Sequence, residues 1–167
     1  AAGVSAGVVK GLVDEGVLAI DFVEPERGLP QPDLSLPPRE LNPGQAACVE
    51  VLAEMLDAGG FQAALLDGVT GSGKTEVYLE AVAAALEDPK AQILVLLPEI
   101  ALTQAVLARF EQRFGALPAE WHSGVSPPRR RQVWEAVASG DARIVVGARS
   151  ALFLPFRKLR LIVVDEE

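Results

Sequence analysis

Hydrophobic positions change period several times along the chain. Val8, Val9, Leu12 and Val13 recur at helical spacing up to Gly16, after which Leu18, Ile20 and Phe22 alternate as one face of a strand. Five prolines between Pro25 and Pro38, with Gly28 among them, then exclude both helix and central strand, so this stretch reads as a linker. Beyond it, strand-like and helical stretches alternate. Asn42-Pro43 opens a helix with an N-cap and a proline in its first turn, and Cys48, Val51, Leu52, Met55 and Leu56 are expected to form its buried stripe before Gly59-Gly60. Ala63 to Asp67 predicts a short strand, Gly68 to Gly73 a glycine-rich turn, and the residues through Glu87 a helix. Gln92 to Leu97 is a continuous apolar strand stopped by Pro98, and Ile100 to Phe114 predicts a helix closed by Gly115. Ser126-Pro127 caps the next helix, with Val133, Trp134 and Val137 expected to face inward and Gly140 ending it. Arg143 to Val146 and Leu161 to Val164 are two further apolar strands. Strands apolar on both faces, separated by helices, predict a mostly parallel sheet in a three-layer α/β fold.

Composition narrows this picture. The 167 residues, half of them hydrophobic and 23% charged, suit a globular chain with one sizeable core. The expected organisation is a helix-then-strand piece over 1–24, the proline-rich linker over 25–40 and the α/β lobe over 41–167. About 24 residues cannot build a core, so the first piece reads either as the end of a winged-helix domain or as an element decorating the lobe. No apolar run approaches the roughly 18 residues of a membrane span, and no basic-then-apolar leader opens the sequence, which points to a cytoplasmic protein without a membrane partner. Cys48 is the single cysteine and His122 the single histidine, so a structural Cys/His zinc site is excluded within this chain. The net charge of −8 is uneven: residues 1–108 carry 5 basic against 16 acidic side chains, whereas residues 109–167 carry 10 against 7. The second half could therefore face phosphates.

The chemistry concentrates at two points. Gly68-Val69-Thr70-Gly71-Ser72-Gly73-Lys74-Thr75 satisfies the phosphate-loop pattern between an expected strand and an expected helix. Such glycines let successive backbone N–H groups converge on one anion, and the helix N-terminus adds its dipole. Lys74 would then reach the β- and γ-phosphates of ATP, and Thr75 would place its hydroxyl on Mg²⁺. At the other point, the strand ending in Asp165-Glu166 delivers two carboxylates to the C-terminal edge of the sheet, where ligands bind in open parallel sheets. Asp165 would hold the magnesium ion and Glu166 would orient or deprotonate the attacking water.

Leu66 to Tyr78, Pro98-Glu99-Ile100-Ala101-Leu102-Thr103, His122-Ser123-Gly124, Gly147-Ala148-Arg149-Ser150-Ala151 and Val164-Asp165-Glu166-Glu167 resemble, in order and wording, the motifs of the PriA family of primosomal replication-restart helicases. The resemblance covers residues 41–167. It implies the first RecA-like lobe of a superfamily 2 motor that uses ATP to move 3′ to 5′ along forked or single-stranded DNA and to reload the replicative helicase. It also implies single-stranded DNA-binding protein and primosome components as partners. In that family the acid box continues with His, and a zinc site, a second motor lobe and a domain reading DNA 3′ ends lie outside the motifs present here. On this likeness the chain is expected to be part of a longer protein, with weak chemistry when isolated.

Several positions keep two readings. Gln45, three residues after Asn42, fits both an adenine-reading glutamine and a capping-box partner. Thr103 and Arg149-Ser150 match segments that touch the tracking strand's phosphates in related motors, although Thr103 also suits a plain helix start and Arg149 could pair with a carboxylate. His122 is read as a structural hydrogen-bonding residue rather than a catalytic one, and Arg129-Arg130-Arg131 as a solvated face, phosphate or acidic neighbours being the alternative. Two rival functions remain: another phosphate-loop transferase, and a nucleotide-binding interaction module without turnover.

Overall fold

The computed structural model describes residues 6–17, 28–69, 71–98 and 101–165. Four parallel strands, β1 (Gln92–Leu96), β2 (Ala119–Trp121), β3 (Ile144–Gly147) and β4 (Leu159–Val164), form one sheet in the order β2-β3-β1-β4. Each parallel step needs a crossover. α4 (Gln104–Phe114) leads from β1 toward β2, α5 (Pro127–Ser139) from β2 to β3, and a short 3-10 helix, Arg149–Phe153, from β3 toward β4. Three helices precede the sheet: α1 (Ala6–Asp14), α2 (Pro43–Ala58) and α3 (Lys74–Leu86).

Because side chains alternate along a strand, the sheet divides the core in two. Ile93 and Val95 with Ile144 and Val146 pack under α3 and α4, against Val82, Leu86, Phe110 and Phe114. Leu94, Leu96 and Val145 face the other way, onto Val133 and Val137 of α5 and onto Leu29. The single expected core is therefore two clusters on opposite faces of one sheet, the three-layer α/β arrangement.

One buried polar side chain locks the base of the sheet. Gln92 is fully buried, and its amide nitrogen donates to the carbonyls of Val137 and Ala142 at 3.0 and 3.1 Å. Its side-chain oxygen accepts the backbone N–H groups of Arg157 and Lys158 at 2.7 and 3.2 Å. Nearby, Arg143 lies against the C-terminal end of α3, donating to the carbonyls of Leu86, Asp88 and Ala91, where a helix leaves acceptors unpaired. Burial lowers the pKa of that guanidinium, opposed by the charge of Asp88.

Residues 28–42 form no regular element, as their prolines dictate, yet they run over the lobe. Leu29 is buried, the Asp33 N–H donates to the Phe114 carbonyl at 2.7 Å, and Arg113 donates to the carbonyl of Leu36 while holding Glu80 at 2.7 Å.

Four sequence expectations change. Residues 63–67 form no strand: no ladder pairs them, and Phe61 and Leu65 are 97% and 92% exposed. β4 is an open edge of the sheet, its residues Ile162 and Val164 exposed, so propensity without a hydrogen-bonding neighbour leaves residues 63–67 unpaired. The α2 stripe is half-buried rather than buried, and Val51 is exposed, because α2 packs on one side only, chiefly against α3. Trp134 is half-exposed; Val133 and Val137, one helical turn apart, take the inward face, and residue 134 is rotated about 100° away from Val133. α4 begins at Gln104 rather than residue 100, Glu99 and Ile100 lying outside the described residues. The strand expected over Leu18, Ile20 and Phe22 also lies outside them, while α1 forms over its predicted stripe with Val8 and Val9 exposed.

Candidate functional site

The C-terminal ends of all four strands point to one edge of the sheet, and α3, which returns to the start of β1, presents its N-terminus at that same edge. The glycine-rich loop therefore opens where Asp165 follows β4. Asp165 is held in place by its backbone N–H, which donates to the Leu96 carbonyl at 2.9 Å.

The loop has a defined shape. The Ser72 N–H donates to the Val69 carbonyl at 3.0 Å, and Lys74 folds back so that Nζ donates to the Gly68 carbonyl at 2.6 Å. Gly73, the N-cap of α3, has φ of +84°, and a Cβ there would collide with Nε2 of Gln45. The left-handed backbone thus demands glycine, and a Cβ would displace the Gln45 amide. Thr70 lies outside the described residues.

Gln45 fills the capping-box role in full: its N–H donates to Oδ1 of Asn42 at 3.0 Å, and its Oε1 accepts the Asn42 N–H at 2.9 Å. The same carboxamide donates from Nε2 to the Ser72 carbonyl at 2.9 Å, tying the start of α2 to the phosphate loop. The capping reading and a place beside the loop are compatible.

Tyr78 was not among the residues singled out from sequence. It is 6% exposed, and the charge of Asp165 bears on its phenol. Burial, reinforced by the Asp165 charge, pushes its pKa up to about 12, so the phenol stays protonated at any working pH. Its sequence signals were its place at the end of the Leu66 to Tyr78 motif and its spacing, three residues after Thr75 on the same helix face.

Among the described residues no group of three or more His, Cys, Asp or Glu side chains gathers to hold a metal ion. A threonine hydroxyl in the first turn of α3 and one carboxylate just after β4 nevertheless suit magnesium, which keeps several waters and takes its remaining ligands from phosphates. Glu166 lies outside the described residues.

The remaining candidates occupy the same edge. Thr103 is the N-cap residue of α4, but its side chain makes no capping hydrogen bond and is exposed. Arg149 and Ser150 begin the 3-10 helix just after β3 and are both exposed, and Arg149 has no ion-pair partner among the described residues. Gly147, which precedes that turn, lies so close to β2 that a Cβ would collide with the Trp121 carbonyl. His122 bonds within its own turn: Nδ1 accepts the Gly124 N–H at 3.2 Å, and Nε2 lies 3.5 Å from Glu120. Of the arginine run, Arg129 and Arg131 are exposed, whereas Arg130 stacks on the Trp121 ring and donates to the His122 carbonyl at 2.9 Å.

Comparison with known proteins adds to this geometry. Residues 42–167 match the DEAD/DEAH box helicase family. The chain is 39% identical to the replication restart protein PriA of Bacillus subtilis (strain 168) over 165 residues, 98% of this chain and 20% of that protein. It is 41% identical to the PriA of Synechocystis sp., again over 165 residues, 98% of this chain and 19% of that protein. The chain thus spans about a fifth of the length of these curated relatives. Among solved structures it aligns with the DUF1998 helicase MrfA bound to DNA and AMPPNP at a TM-score of 0.49 and 17% identity, over 86% of this chain and 22% of that one.

Proposed function

Because the chain belongs to the DEAD/DEAH box helicase family, and is so similar to PriA proteins over 98% of its length, we propose that it is the ATP-binding lobe of a PriA-like DNA helicase. The observation that carries this reading is the meeting of two elements at one sheet edge, the phosphate loop at the start of α3 and Asp165 at the end of β4.

The loop's N–H groups and the α3 dipole bind the phosphates, and Lys74 moves from the Gly68 carbonyl onto the β- and γ-phosphate oxygens. Thr75 and Asp165 hold the magnesium ion. When bound, that ion neutralises charge developing on the transferred phosphoryl group. Glu166 accepts the proton of the attacking water. Gln45 keeps one amide hydrogen and one oxygen lone pair beyond those used at Asn42 and Ser72, a donor–acceptor pair that matches the N6/N7 edge of adenine. Thr103, Arg149 and Ser150 contact the backbone of one DNA strand. In the intact protein this lobe works with a second one to move 3′ to 5′ at stalled forks, in the cytoplasm, alongside single-stranded DNA-binding protein and primosome components.

Two measurements test the reading. Calorimetry with Mg-ADP should show binding that Lys74→Ala abolishes, and equal affinity in the two proteins would remove the phosphate-loop assignment. ATP hydrolysis by the intact protein should rise with single-stranded DNA. Turnover that ignores DNA but follows a small-molecule acceptor would favour a transferase instead.

A further inference from the structure

We propose that Phe153 is a stacking platform for an unpaired base of single-stranded DNA, set beside the phosphate contacts of Arg149 and Ser150. This rests on the DNA reading above, which gives those two residues to the strand's backbone and leaves its bases without a partner.

The short 3-10 helix Arg149–Phe153 sorts its side chains by threes, because residues i and i+3 eclipse in such a helix. Ala151 and Leu154 make one ridge, and it is buried: both join Leu94 and Leu96 in one core cluster. The other two ridges, Arg149 with Leu152 and Ser150 with Phe153, are exposed. Backbone bonds fix the turn. The Ala148 N–H donates to the Trp121 carbonyl at 3.0 Å, the Ala151 N–H to the Ala148 carbonyl at 2.8 Å, and the Leu154 N–H to the Ala151 carbonyl at 3.2 Å. Phe153 therefore stands on an anchored mount while remaining 88% exposed, with Leu152 47% exposed next to it.

An exposed ring alone says little, since single apolar residues are ordinary on protein surfaces. Its neighbours decide. Ser150 lies one 3-10 turn away on the same ridge, about 6 Å along the axis at roughly 2 Å per residue. Arg149, which has no ion-pair partner among the described residues, opens the same turn. A cation, a hydroxyl and an aromatic face on one short turn match one nucleotide, whose phosphate takes the polar pair and whose base lies on the ring. A protein partner needs a wider apolar patch than one ring and one leucine, a stable interface covering about 800 Å² on each side. Phe61 makes the contrast: it is 97% exposed, yet no Lys or Arg stands between Arg39 and Lys74, so its own segment offers a phosphate no cation. Every base has a π-face, so a stack on Phe153 tolerates any sequence, as movement along a strand requires.

The test is fluorescence anisotropy of the intact protein on oligothymidylate and on an abasic deoxyribose-phosphate strand of the same length. Wild type, Phe153→Ala, Phe153→Leu and Phe153→Tyr are compared, with thermal melting run on each. On oligothymidylate, Phe153→Ala should bind about tenfold more weakly, within the range for losing one base–aromatic stack. Phe153→Leu keeps apolar bulk without a π-face and should lose affinity too, whereas Phe153→Tyr keeps the ring and should bind as wild type does. On the abasic strand all four should bind alike, and the salt slope of Phe153→Ala should equal that of wild type, because no charge is lost. An equal loss in Phe153→Ala on both strands, or equal affinity in Phe153→Leu and Phe153→Tyr, overturns the proposal and leaves the DNA reading intact. Wild-type DNA affinity in Phe153→Ala with a lowered melting temperature places the ring in a protein contact and overturns it as well. No single-stranded DNA binding by wild type overturns the DNA reading, and the proposal with it. Should Phe153→Ala fail to fold, Phe153→Leu against Phe153→Tyr carries the same comparison on both strands.

Discussion

At the scale of single residues, the loop is held by what its neighbours exclude. Gly73 combines a left-handed backbone with the Gln45 amide pressed against its open side. Gly73→Ala therefore costs about 1–2 kcal/mol in backbone strain and also pushes Gln45 off the Ser72 carbonyl. Nucleotide affinity should fall well beyond tenfold by calorimetry; wild-type affinity in Gly73→Ala would mean that the loop adopts another shape when it binds. Tyr78 carries a separate consequence for pH. Its folded pKa is raised to about 12 from the ordinary 10.0, so its contribution to stability is complete below pH 10. Above that, the unfolded chain releases the proton while the folded one keeps it, and stability falls by about 1.4 kcal/mol per pH unit until the folded phenol ionises too. Denaturant titrations between pH 10 and 12 should show this slope in wild type and its loss in Tyr78→Phe; identical slopes would place the phenol in a watery environment.

At the scale of elements, the sheet depends on one side chain that hydrophobic pattern alone misreads. Gln92 stands at the start of an otherwise apolar strand and satisfies four backbone groups from α5, the turn after it and the entry to β4. Gln92→Leu has nearly the right volume but orphans those groups, so it should destabilise the lobe by roughly 2–4 kcal/mol in chemical denaturation, since each unmet buried group costs about 1–3 kcal/mol. A change under about 1 kcal/mol would mean that water enters and replaces the amide. The same contrast marks how far the chain is readable from its letters. Helices α2 to α5 and strands β1, β3 and β4 were legible because their caps, glycine stops and apolar runs are local. The phosphate loop was legible because its spacing is itself the geometry. Residues 63–67 were not, since a strand exists only with a partner and their composition says nothing of one. Tyr78 and Gln92 were missed for a related reason: each depends on groups far away in sequence, Tyr78 feeling the charge of Asp165 and Gln92 reaching Arg157.

At the scale of the whole molecule, the question is where the basic surplus of the second half is spent. Of its ten Lys and Arg side chains, eight have partners among the described residues. Arg109 and Arg113 pair with Glu76 and Glu80, and Lys158 with Asp88. Arg129 bonds Gln132 and Arg130 stacks on Trp121. Arg143, Arg157 and Arg160 donate to the carbonyls of Leu86, Ser139 and Leu56. The expectation that this half as a whole faces phosphates thus narrows to Arg131 and Arg149, and only Arg149 stands at the sheet edge that carries the loop and Asp165. Gly147 fixes the turn from which it projects by lying against the Trp121 carbonyl. Phosphate contacts carry no base information, so Arg149→Ala in the intact protein should weaken single-stranded DNA binding about equally for all sequences. It should also reduce the slope of log affinity against log salt by about 0.7, one phosphate's share of counterion release on a single strand. Arg131→Ala, on the exposed side of α5, should leave that slope unchanged. If Arg149→Ala instead lowered thermal stability and kept the wild-type slope, its guanidinium would belong to the structure of the acidic strand end, and the DNA path would have to run elsewhere on the lobe.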